Sequence, residues 1–552
     1  MKNKNIYTVL LSIFLFSVVG CDESFLDTTP TSSLTAETYY QSESDFITAI
    51  NGTYGINCTW KQMMEFVPMM DMTTPAAVHG GGRFKQWHWG NSGFTPDDAS
   101  SQAIWNFWRK WWLGVARANE VIYRVDQAGD GIFTTSGLKD RIKGEALFLR
   151  AFYYFHLTFA WGEIPLLTEP TSAETYYPAV SEQSLIIDQM IADFTEAASL
   201  LPSVTEYRNT ENLGRASKGA ALAMLGKTYC FNQQWSEAAT TLKKLIDLGD
   251  YELTPGSTGF NDQFWTSGEN GVESIFEIQY GSGNDAQFCN TFITYCSIGG
   301  VGISSKGYGY IQPTDWTVDK FQTINGYDVK STYVSTNDDG SMNFTYSSDD
   351  PAFDPAKPFD NRDPRFNWTV MYEGSPYIEE KWPGNTFTAA APDESNFATV
   401  KYITDNDPGD SDMNLVALRY ADVLLLYAEA LMEQNDLENA ATYVNKVRSR
   451  ESVQMPDVPD DVVASQSALR EYIHNERIRE LAFEYGHIFY DLRRWTTESG
   501  ENLWLSEMKA YWTANKLGHT NDAIDIDKHN IYWPLPSTEI ETNPNLVQHE
   551  GY

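Results

Sequence analysis

The spacing of apolar residues predicts that most of this chain is α-helical. Apolar positions recur with the helical period over four long segments: 43–54, 103–125, 138–161 and 181–200. The third segment contains the run EALFLRAFYYFHLTFAW, which is apolar on almost every side of a helix. A helix that is apolar all round is buried in the core, so we expect 138–161 to be buried.

A further helix is predicted in the last third of the chain, over Ala468–Trp495. If this segment is one continuous helix, Arg477, Glu484 and Asp491 share an arc of roughly 60° with two apolar residues. Charged side chains on a packing face predict buried ion pairs. A catalytic carboxylate pair at Glu484 and Asp491 is the functional alternative.

Two stretches of the chain, 216–249 and 418–451, form an internal repeat. They align on a shared Ala-Ala-Thr at 238–240 and 440–442, and each is predicted to be helix, short polar turn, helix. Their length of about 34 residues and their small residues at packing positions are typical of tetratricopeptide-like hairpins. One such hairpin cannot bury its apolar face alone, so further hairpins should stack with these two.

Between the two copies, residues 252–412 have a different composition, rich in Gly, Pro, Asp, Asn and Tyr. The short run Ser274–Tyr280 predicts a strand, and most of the rest is predicted to form long structured loops. A helical scaffold with one large irregular insertion is a common way to build a binding surface. We therefore expect one domain over 21–552, in which this insertion separates helical parts at 35–250 and 413–552.

The first 20 residues have the pattern of a signal peptide. Lys2 and Lys4 precede an apolar run, Ile6–Val19, that is too short to span a membrane. The run is followed by Gly20 and Cys21, an arrangement that resembles a bacterial lipobox. We expect residues 1–20 to be removed and Cys21 to be lipidated, so that acyl chains anchor the protein without spanning the bilayer. A secretory peptide followed by an incidental cysteine is the alternative.

The formal net charge of −36 narrows the choice of partners. A field this negative repels phosphate backbones and anionic lipid, so nucleic acid is not an expected partner. Contact with a membrane is expected only through the lipid anchor. The charge suits a neutral ligand, or it serves solubility alone.

The cysteines do not form the framework of a small disulfide-rich protein. Besides Cys21 there are four: Cys58, Cys230, Cys289 and Cys296. Cys289 and Cys296 either pair with each other or stay as buried thiols. No CxxC motif occurs, so a zinc site is not expected.

The sequence contains no motif of a familiar enzyme or cofactor site. A nucleophile elbow, an HExxH motif and a phosphate-binding glycine loop are all missing. His79 and His88 share a loop but lack a third metal ligand at a suitable spacing. The Asp-rich run 337–340 lacks the full spacing of a calcium loop, so we expect an exposed acidic turn and no cofactor, with structural Ca²⁺ as the open alternative.

Tryptophan is concentrated in the stretch Arg83–Trp112, which holds six of the 17 tryptophans in the chain. Four of them fall within an arc of roughly 120° on the predicted helix 103–125: Trp105, Trp108, Trp111 and Trp112. We expect these four to anchor the helix in the core, with Arg109 and Lys110 turned away from that face.

The loop 68–96, which precedes this helix, carries the first set of candidate ligand-binding residues. Sugars are recognised by aromatic faces that stack on the rings and by Asp, Asn, Arg and Gln side chains that bond to the hydroxyls. The candidates in the loop are Asp71, Arg83, Trp87, Trp89 and Asn91. The alternative for Trp87 and Trp89 is that they only pin the loop to the helices.

The insertion supplies a second candidate wall in the segment GYGYIQPTDW. Its candidates are Tyr308, Tyr310 and Trp316, where neighbouring glycines allow close approach of a ligand to the backbone. Arg365 and Tyr402 are further residues of interest, and for both a structural role is the stronger expectation.

Several of these motifs, taken in order, resemble the SusD/RagB family of cell-surface nutrient-binding lipoproteins of Bacteroidetes. The resemblance covers nearly the whole chain. It rests on FLDTTP just after Cys21, Arg117-Ala118-Asn119, GEALFLRAFYYFHLTFAWGEIPL at 144–166, the two hairpins, DLRRW at 491–495 and PLPSTEI at 534–540.

The resemblance implies a mostly α-helical fold with about four tetratricopeptide-like hairpins. It also implies a lipid-anchored protein on the outer-membrane surface that binds glycan and delivers it to a SusC-type TonB-dependent transporter without catalysis. In the family, a loop with Trp and Asn before the first long helix contributes to the ligand platform, which here matches Trp87, Trp89 and Asn91. Capture of peptides on the same scaffold and a surface glycoside hydrolase are the alternatives.

Overall fold

Helices are the main secondary structure of this protein. The structure is a computed structural model, and it describes residues 36–58, 70–79, 102–173, 175–281, 290, 309–336, 342–376, 395–403, 411–515 and 526–552. The helices of eight residues or more in these ranges are α1 Glu43–Tyr54, α2 Gln102–Gln127, α3 Leu138–Trp161, α4 Gln183–Leu200, α5 Lys218–Phe231, α6 Trp235–Leu248, α7 Tyr420–Glu433, α8 Leu437–Arg448, α9 Gln466–Leu481, α10 His487–Arg494 and α11 Leu503–Asn515. Shorter helical turns are Ala36–Tyr39, Val204–Tyr207, Gly259–Asp262, Thr266–Gly268, Asp315–Lys320, Pro364–Asn367, Asp460–Val463, Lys528–Ile531 and Ser537–Thr542.

The central helix α3 is buried on nearly every side, as its apolar pattern predicts. Tyr153, Tyr154 and Trp161 are all inaccessible to solvent. The helix packs against α2 and α4, so it has neighbours on opposite sides. It ends at Gly162, whose φ of 77° lies in the left-handed region that suits glycine.

The two repeat copies form helical hairpins that lie side by side. In the first, α5 packs against α6, and in the second, α7 packs against α8. Helix α6 also packs against α7, and α5 packs against α4, so the hairpins continue the layer begun by α3 and α4. The hairpins are confirmed; their assignment to the tetratricopeptide class stays a prediction, as does the division of the chain at 250 and 413.

A small residue brings the two helices of the first hairpin close together. A Cβ atom built on Gly226 in α5 would lie 2.4 Å from Cδ2 of Leu242 in α6. No side chain fits that gap without a shift of Leu242. The small residues of the repeat therefore set the distance between its helices.

The segment Ala468–Trp495 is two helices, so the prediction of one continuous helix is wrong. Between α9 and α10, Phe483, Tyr485 and Gly486 have positive φ angles of 62°, 34° and 72°. Phe483 and Tyr485 are buried, and their packing offsets the cost of a backbone conformation that side chains disfavour. The periodic pattern runs through this break because both helices contribute to the same core.

The buried ion pairs predicted for this segment are confirmed. Arg477 Nη2 lies 2.7 Å from Asp491 Oδ2, which joins α9 to α10 across the break. Glu484, in the break itself, accepts a hydrogen bond of 2.7 Å from Nε of Arg419. All of these side chains are buried.

The described strands pair in four antiparallel two-stranded sheets. The strands are β1 Ala77–His79, β2 Ser274–Ile278, β3 Ile311–Pro313, β4 Val329–Thr336, β5 Met342–Ser348, β6 Val370–Met371, β7 Ala398–Thr399 and β8 Leu415–Arg419. Their pairings are β1 with β3, β2 with β8, β4 with β5 and β6 with β7. The strand predicted at 274–280 is therefore confirmed over its first five residues, and its partner β8 leads directly into α7.

The described part of the insertion is attached to the helices through buried charges. Arg365, which is inaccessible to solvent, contacts Asp363 at 2.7 Å and reaches into α9 to Glu476 at 2.7 Å and Glu480 at 2.8 Å. Tyr402 is also buried. Both residues therefore have the structural role that the sequence favoured. Among the described helices, none combines the length and the apolar composition needed to cross a membrane.

Candidate ligand-binding site

The antiparallel pair β1 and β3 joins the two predicted walls of the site. In its register Ala77 lies opposite Pro313 and His79 lies opposite Ile311. The chain therefore leaves β1 at the same end of the sheet at which it reaches β3. The residues that follow His79 and the residues that precede Ile311 start from this one end.

The base of the first wall is held by hydrogen bonds from three distant side chains. The hydroxyl groups of Thr314 and Thr317 donate to the backbone carbonyls of Pro75 and Ala76. From helix α11, the indole N–H of Trp504 donates to the carbonyl of Thr73 at 2.8 Å. The segment before the loop is thus fixed both to the insertion and to the C-terminal helices.

Five of the predicted ligand-binding residues lie outside the described residues: Arg83, Trp87, Trp89, Asn91 and Tyr308. The lipidation site Cys21 lies outside them as well, and so do His88, Cys289, Cys296 and the acidic run 337–340. Their roles stay predictions.

The two described residues of the second wall have different environments. Tyr310 is buried, with only 8% of its surface exposed. Trp316 is half-buried; its indole N–H donates to Oε2 of Glu507 at 2.7 Å, and Nζ of Lys320 lies 4.4 Å from its ring centre. The Trp316 ring is therefore held in one orientation, and a ligand has access only to the part that remains exposed.

Asp71 lies inside the protein, where only 1% of its surface is exposed. Neither carboxylate oxygen has a hydrogen-bond partner among the residues that the structure describes. Burial raises the pKa of Asp71 to about 8, with Lys401 opposing the shift and Glu484 adding to it. The group is therefore mainly protonated at neutral pH, and contact with a ligand requires the segment around it to open.

The tryptophans of α2 are core anchors, as predicted. Trp108 and Trp111 are buried, and the Trp111 ring stacks on His156 of α3 at 4.8 Å between centroids. Trp105 and Trp112 are partly buried and pack against the same core. The helix is therefore fixed in the core by its aromatic side chains.

Lys110 is buried and does not turn away to solvent, so this part of the prediction is wrong. Helix α2 packs against α1 as well as α3, and its buried face is wider than the tryptophan arc. Burial lowers the pKa of Lys110 to about 7. Arg109 is exposed, as predicted.

Glu484 and Asp491, the carboxylates considered as a catalytic pair, are buried in ion pairs. Glu484 is bound by Arg419 and by Lys401, whose Nζ lies 2.5 Å from Oε1 of the carboxylate. Asp491 is bound by Arg477 and Arg494. Both carboxylates are buried and bound by cations, so both act as structural charges.

The neighbouring Glu480 shows how surrounding arginines keep a buried carboxylate ionised. Burial alone would favour the neutral acid, but Arg450, Arg419 and Arg365 outweigh it and lower the pKa of Glu480 to about 2. A group held in this way cannot exchange protons with a substrate at neutral pH. Within the described residues, no group of three or more His, Cys, Asp or Glu side chains is placed to hold a metal ion.

One concave surface of the insertion was not predicted from the sequence. Two adjoining cavities of about 280 and 640 Å³ share Lys357, Asp360 and Asn361. Their remaining lining comes from 323–325 and from further residues of 350–376, and no motif of a known binding site marks these stretches. The sequence signal available was only the concentration of Asp, Asn and Pro over 349–363.

The sequence matches two protein-family profiles that together span most of the chain. A profile described as "SusD family" matches residues 272–552, and one described as "Starch-binding associating with outer membrane" matches residues 24–230. Among known proteins, SusD-like protein P25 of Formosa agariphila is 27% identical over 100% of this chain and 99% of its own length. SusD-like protein P38 of the same organism is 24% identical over the full length of both.

Solved structures share the fold over nearly the whole chain. A SusD-like carbohydrate binding protein from Bacteroides fragilis superposes with a TM-score of 0.73 at 23% identity, covering 92% of this chain and all of that one. Surface glycan-binding protein A from Bacteroides thetaiotaomicron, in complex with laminarihexaose, superposes with a TM-score of 0.66 at 18% identity, covering 93% and 100%. Because the SusD profile spans more than half of the sequence and relatives match it from end to end, the chain belongs to the SusD family.

Proposed function

We propose that this protein binds neutral oligosaccharide at the bacterial outer surface and delivers it to a SusC-type TonB-dependent transporter, without covalent chemistry. The observation that carries the proposal is the pairing of β1 with β3. Because of this pairing, the chain leaves β1 towards Trp87, Trp89 and Asn91 at the same end of the sheet at which it enters β3 from Tyr308. The proposal assigns these two aromatic segments to a single site, and the pairing supports it.

The chemistry of these residues suits a sugar ligand. Aromatic rings stack on the C–H faces of sugar rings, and the amide of Asn91 and the guanidinium of Arg83 bond to hydroxyl groups. The hydrogen bonds to the carbonyls of Thr73, Pro75 and Ala76 hold the base of the loop. A base that is already ordered reduces the entropy lost when a ligand binds. No cofactor is needed for such binding.

The relatives support a glycan as the ligand class. A structure named "Laminarin binding SusD-like protein" superposes on this chain with a TM-score of 0.65 at 19% identity. A lipid anchor at Cys21 would hold the protein at the outer membrane, in agreement with the description of the family profile over residues 24–230. Exposure at the surface and release into a transporter complete the proposal.

Replacement of both Trp87 and Trp89 by alanine tests the site. We expect the variant to lose the retardation that the wild-type protein shows in native gels containing a neutral polysaccharide, because stacking surface is removed. The matched control replaces the exposed aromatic pair Tyr176 and Tyr177, which are 66% and 49% exposed, by alanine. Unchanged retardation of the tryptophan variant would place the site elsewhere.

The same purified protein separates the alternatives. Binding of peptides without binding of any polysaccharide would favour peptide capture. Release of reducing ends from a polysaccharide would favour a surface hydrolase. Co-purification with the transporter and no binding of any ligand would favour a structural lid.

A further inference from the structure

The insertion contains a groove whose described lining includes no residue of the predicted tryptophan platform. It consists of the two adjoining cavities of about 280 and 640 Å³ that share Lys357, Asp360 and Asn361, and we call it the insertion groove. Its lining comes from 323–325, 350–361 and 367–376, all of which the structure describes. Each cavity is at or near the size of sites for small molecules, which run from about 300 to 1,000 Å³.

One side of the groove is aromatic and firmly held. The rings of Phe359 and Tyr372 lie 4.5 Å apart between centroids. Phe359 also contacts Phe366 at 5.8 Å, and Phe366 belongs to a small buried cluster of the insertion with Val318, Phe321, Val370, Tyr372 and Phe397. Rings that are packed in this way offer a surface that needs no ordering when a ligand arrives.

The polar wall of the groove has hydrogen-bonding capacity that the protein does not use. Asp360, Asn361 and Glu373 are exposed, and their side chains make no hydrogen bond to any residue in the described ranges. Asn367 accepts only a long hydrogen bond of 3.4 Å, from the hydroxyl of Tyr372. The carboxylates can accept from ligand hydroxyls, and the amides can both donate and accept.

Charge selects among the ligands that fit such a groove. Among the described lining residues, four carboxylates accompany one cation, Lys357: Asp350, Asp354, Asp360 and Glu373. Uronic acids and sulfated sugars would meet this negative surface and be repelled, since like charges brought together in a cleft destabilise the complex. Neutral sugars meet no such barrier and use both the aromatic side and the polar wall.

We infer that the insertion groove is a second binding site for neutral saccharide, separate from the tryptophan platform. This inference rests on the proposed function, because it gives the same protein a second binding site for the same class of ligand. Two sites on one chain raise the effective concentration of a long polysaccharide at each of them. The groove therefore selects for neutral polymers that are long enough to occupy both sites.

The test replaces Asp360 by alanine and Asn361 by glycine in one variant. Glycine at 361 removes the side chain without strain, because Asn361 already has a left-handed φ of 52°. The matched control replaces Asn209, with a φ of 62°, by glycine and the nearby exposed Glu211 by alanine. Retardation is measured in native gels with four neutral polysaccharides (laminarin, amylopectin, xyloglucan and galactomannan) and with two anionic ones (alginate and polygalacturonate).

The expected result is that at least one neutral polysaccharide retards the wild-type protein and that the groove variant binds it roughly three- to tenfold more weakly. The control variant keeps wild-type binding, and neither anionic polysaccharide retards the protein. Equal binding of the groove variant and the wild type, with the tryptophan variant impaired, would overturn this inference alone. The inference would also be overturned if the groove variant bound every polysaccharide like the wild type but no longer co-purified with the transporter.

Two other outcomes would count against the inference in different ways. Stronger retardation by alginate or polygalacturonate than by every neutral polymer would contradict the charge argument. A lack of retardation of the wild-type protein by all four neutral polysaccharides would overturn both this inference and the proposed function.

Discussion

The helical scaffold and the insertion of this protein differ in the size of their apolar clusters, although buried ion pairs occur in both. In the scaffold, α3 and its neighbours form one large apolar core, and small residues such as Gly226 allow the helices to approach closely. In the insertion, the described apolar cluster has only six buried members, and the attachment to α9 uses arginines that are inaccessible to solvent. A segment of short strands and loops has little apolar surface to bury. Ion pairs and hydrogen bonds therefore supply contacts that buried apolar surface supplies in the scaffold.

This difference matches the roles of the two regions: the scaffold is the frame, and the insertion carries the proposed binding surfaces. Apolar packing tolerates the loss of single contacts and gives a stable frame. Buried ion pairs have strict geometry, because each charge needs its partners at hydrogen-bond distance. They place the insertion, and with it β3 and the insertion groove, in one position on the frame.

The largest effect is expected from removal of one of these buried arginines. Replacement of Arg365 by alanine leaves Glu476 and Glu480 without one of their partners in the interior, and we expect a loss of about 3–5 kcal/mol in the free energy of unfolding. Chemical denaturation measures the loss, and hydrogen exchange over 342–376 should rise before exchange in α3.

The matched control for this variant is Arg470 replaced by alanine. Arg470 also binds a glutamate, Glu433, but their side chains are 29% and 17% exposed. We expect a loss of about 0–1 kcal/mol, since water takes over from the lost partner. Equal losses in the two variants would contradict the expectation that a buried ion pair contributes more to stability than an exposed one.

An intermediate effect is expected from Asp71, at the junction of the two regions. Burial raises its pKa to about 8, above the value near 4 of an exposed carboxyl group. The folded state therefore keeps a proton that the unfolded state releases, so stability is complete below about pH 4 and falls as the pH rises towards 8. Asparagine mimics the protonated acid and removes this dependence.

We expect the Asp71→Asn variant to be more stable than the wild type by about 2–5 kcal/mol at pH 8, with almost no gain at pH 4. Thermal unfolding across this pH range measures the difference. The exposed Asp130, replaced by asparagine, is the control. A constant difference between variant and wild type at every pH would contradict a buried, titrating carboxyl group.

The smallest effects are expected inside the scaffold, where one methyl group decides the sign. Replacement of Gly226 by alanine forces Leu242 to move, and we expect a loss of about 1–3 kcal/mol from overpacking. Gly52 in α1 is the opposite case, because its new Cβ atom would have no neighbour closer than 3.9 Å. Alanine there should stabilise the protein by about 0.5–1 kcal/mol, and chemical denaturation distinguishes the two signs.

The helices could be predicted from the sequence because their pattern is local. The bounds of α1 and α3 agree with the predicted ones at both ends, and the repeat located both hairpins. The four tryptophans of α2 were predicted as core anchors for the same reason, since residues on one helix face share one environment. The family motifs also rest on residues that are close together in the chain.

The prediction failed where distant segments decide the conformation. The break between α9 and α10 depends on burial of Phe483 and Tyr485, which outweighs their unfavourable backbone angles. Lys110 is buried near Cys58, and no local pattern records a neighbour about 50 residues away in the chain. The insertion groove depends on loops that meet only in the folded chain.

The candidate site shows the same division. The sequence by itself determined which residues carry sugar-binding chemistry and which helices are amphipathic or buried, because side-chain chemistry and helical period are properties of short segments. Only the tertiary structure decided that the segments around residues 80 and 310 start from one sheet end, that Asp71 is inside and that Glu484 is a structural charge. Those facts depend on long-range pairing and on desolvation, which arise when distant parts of the chain come into contact.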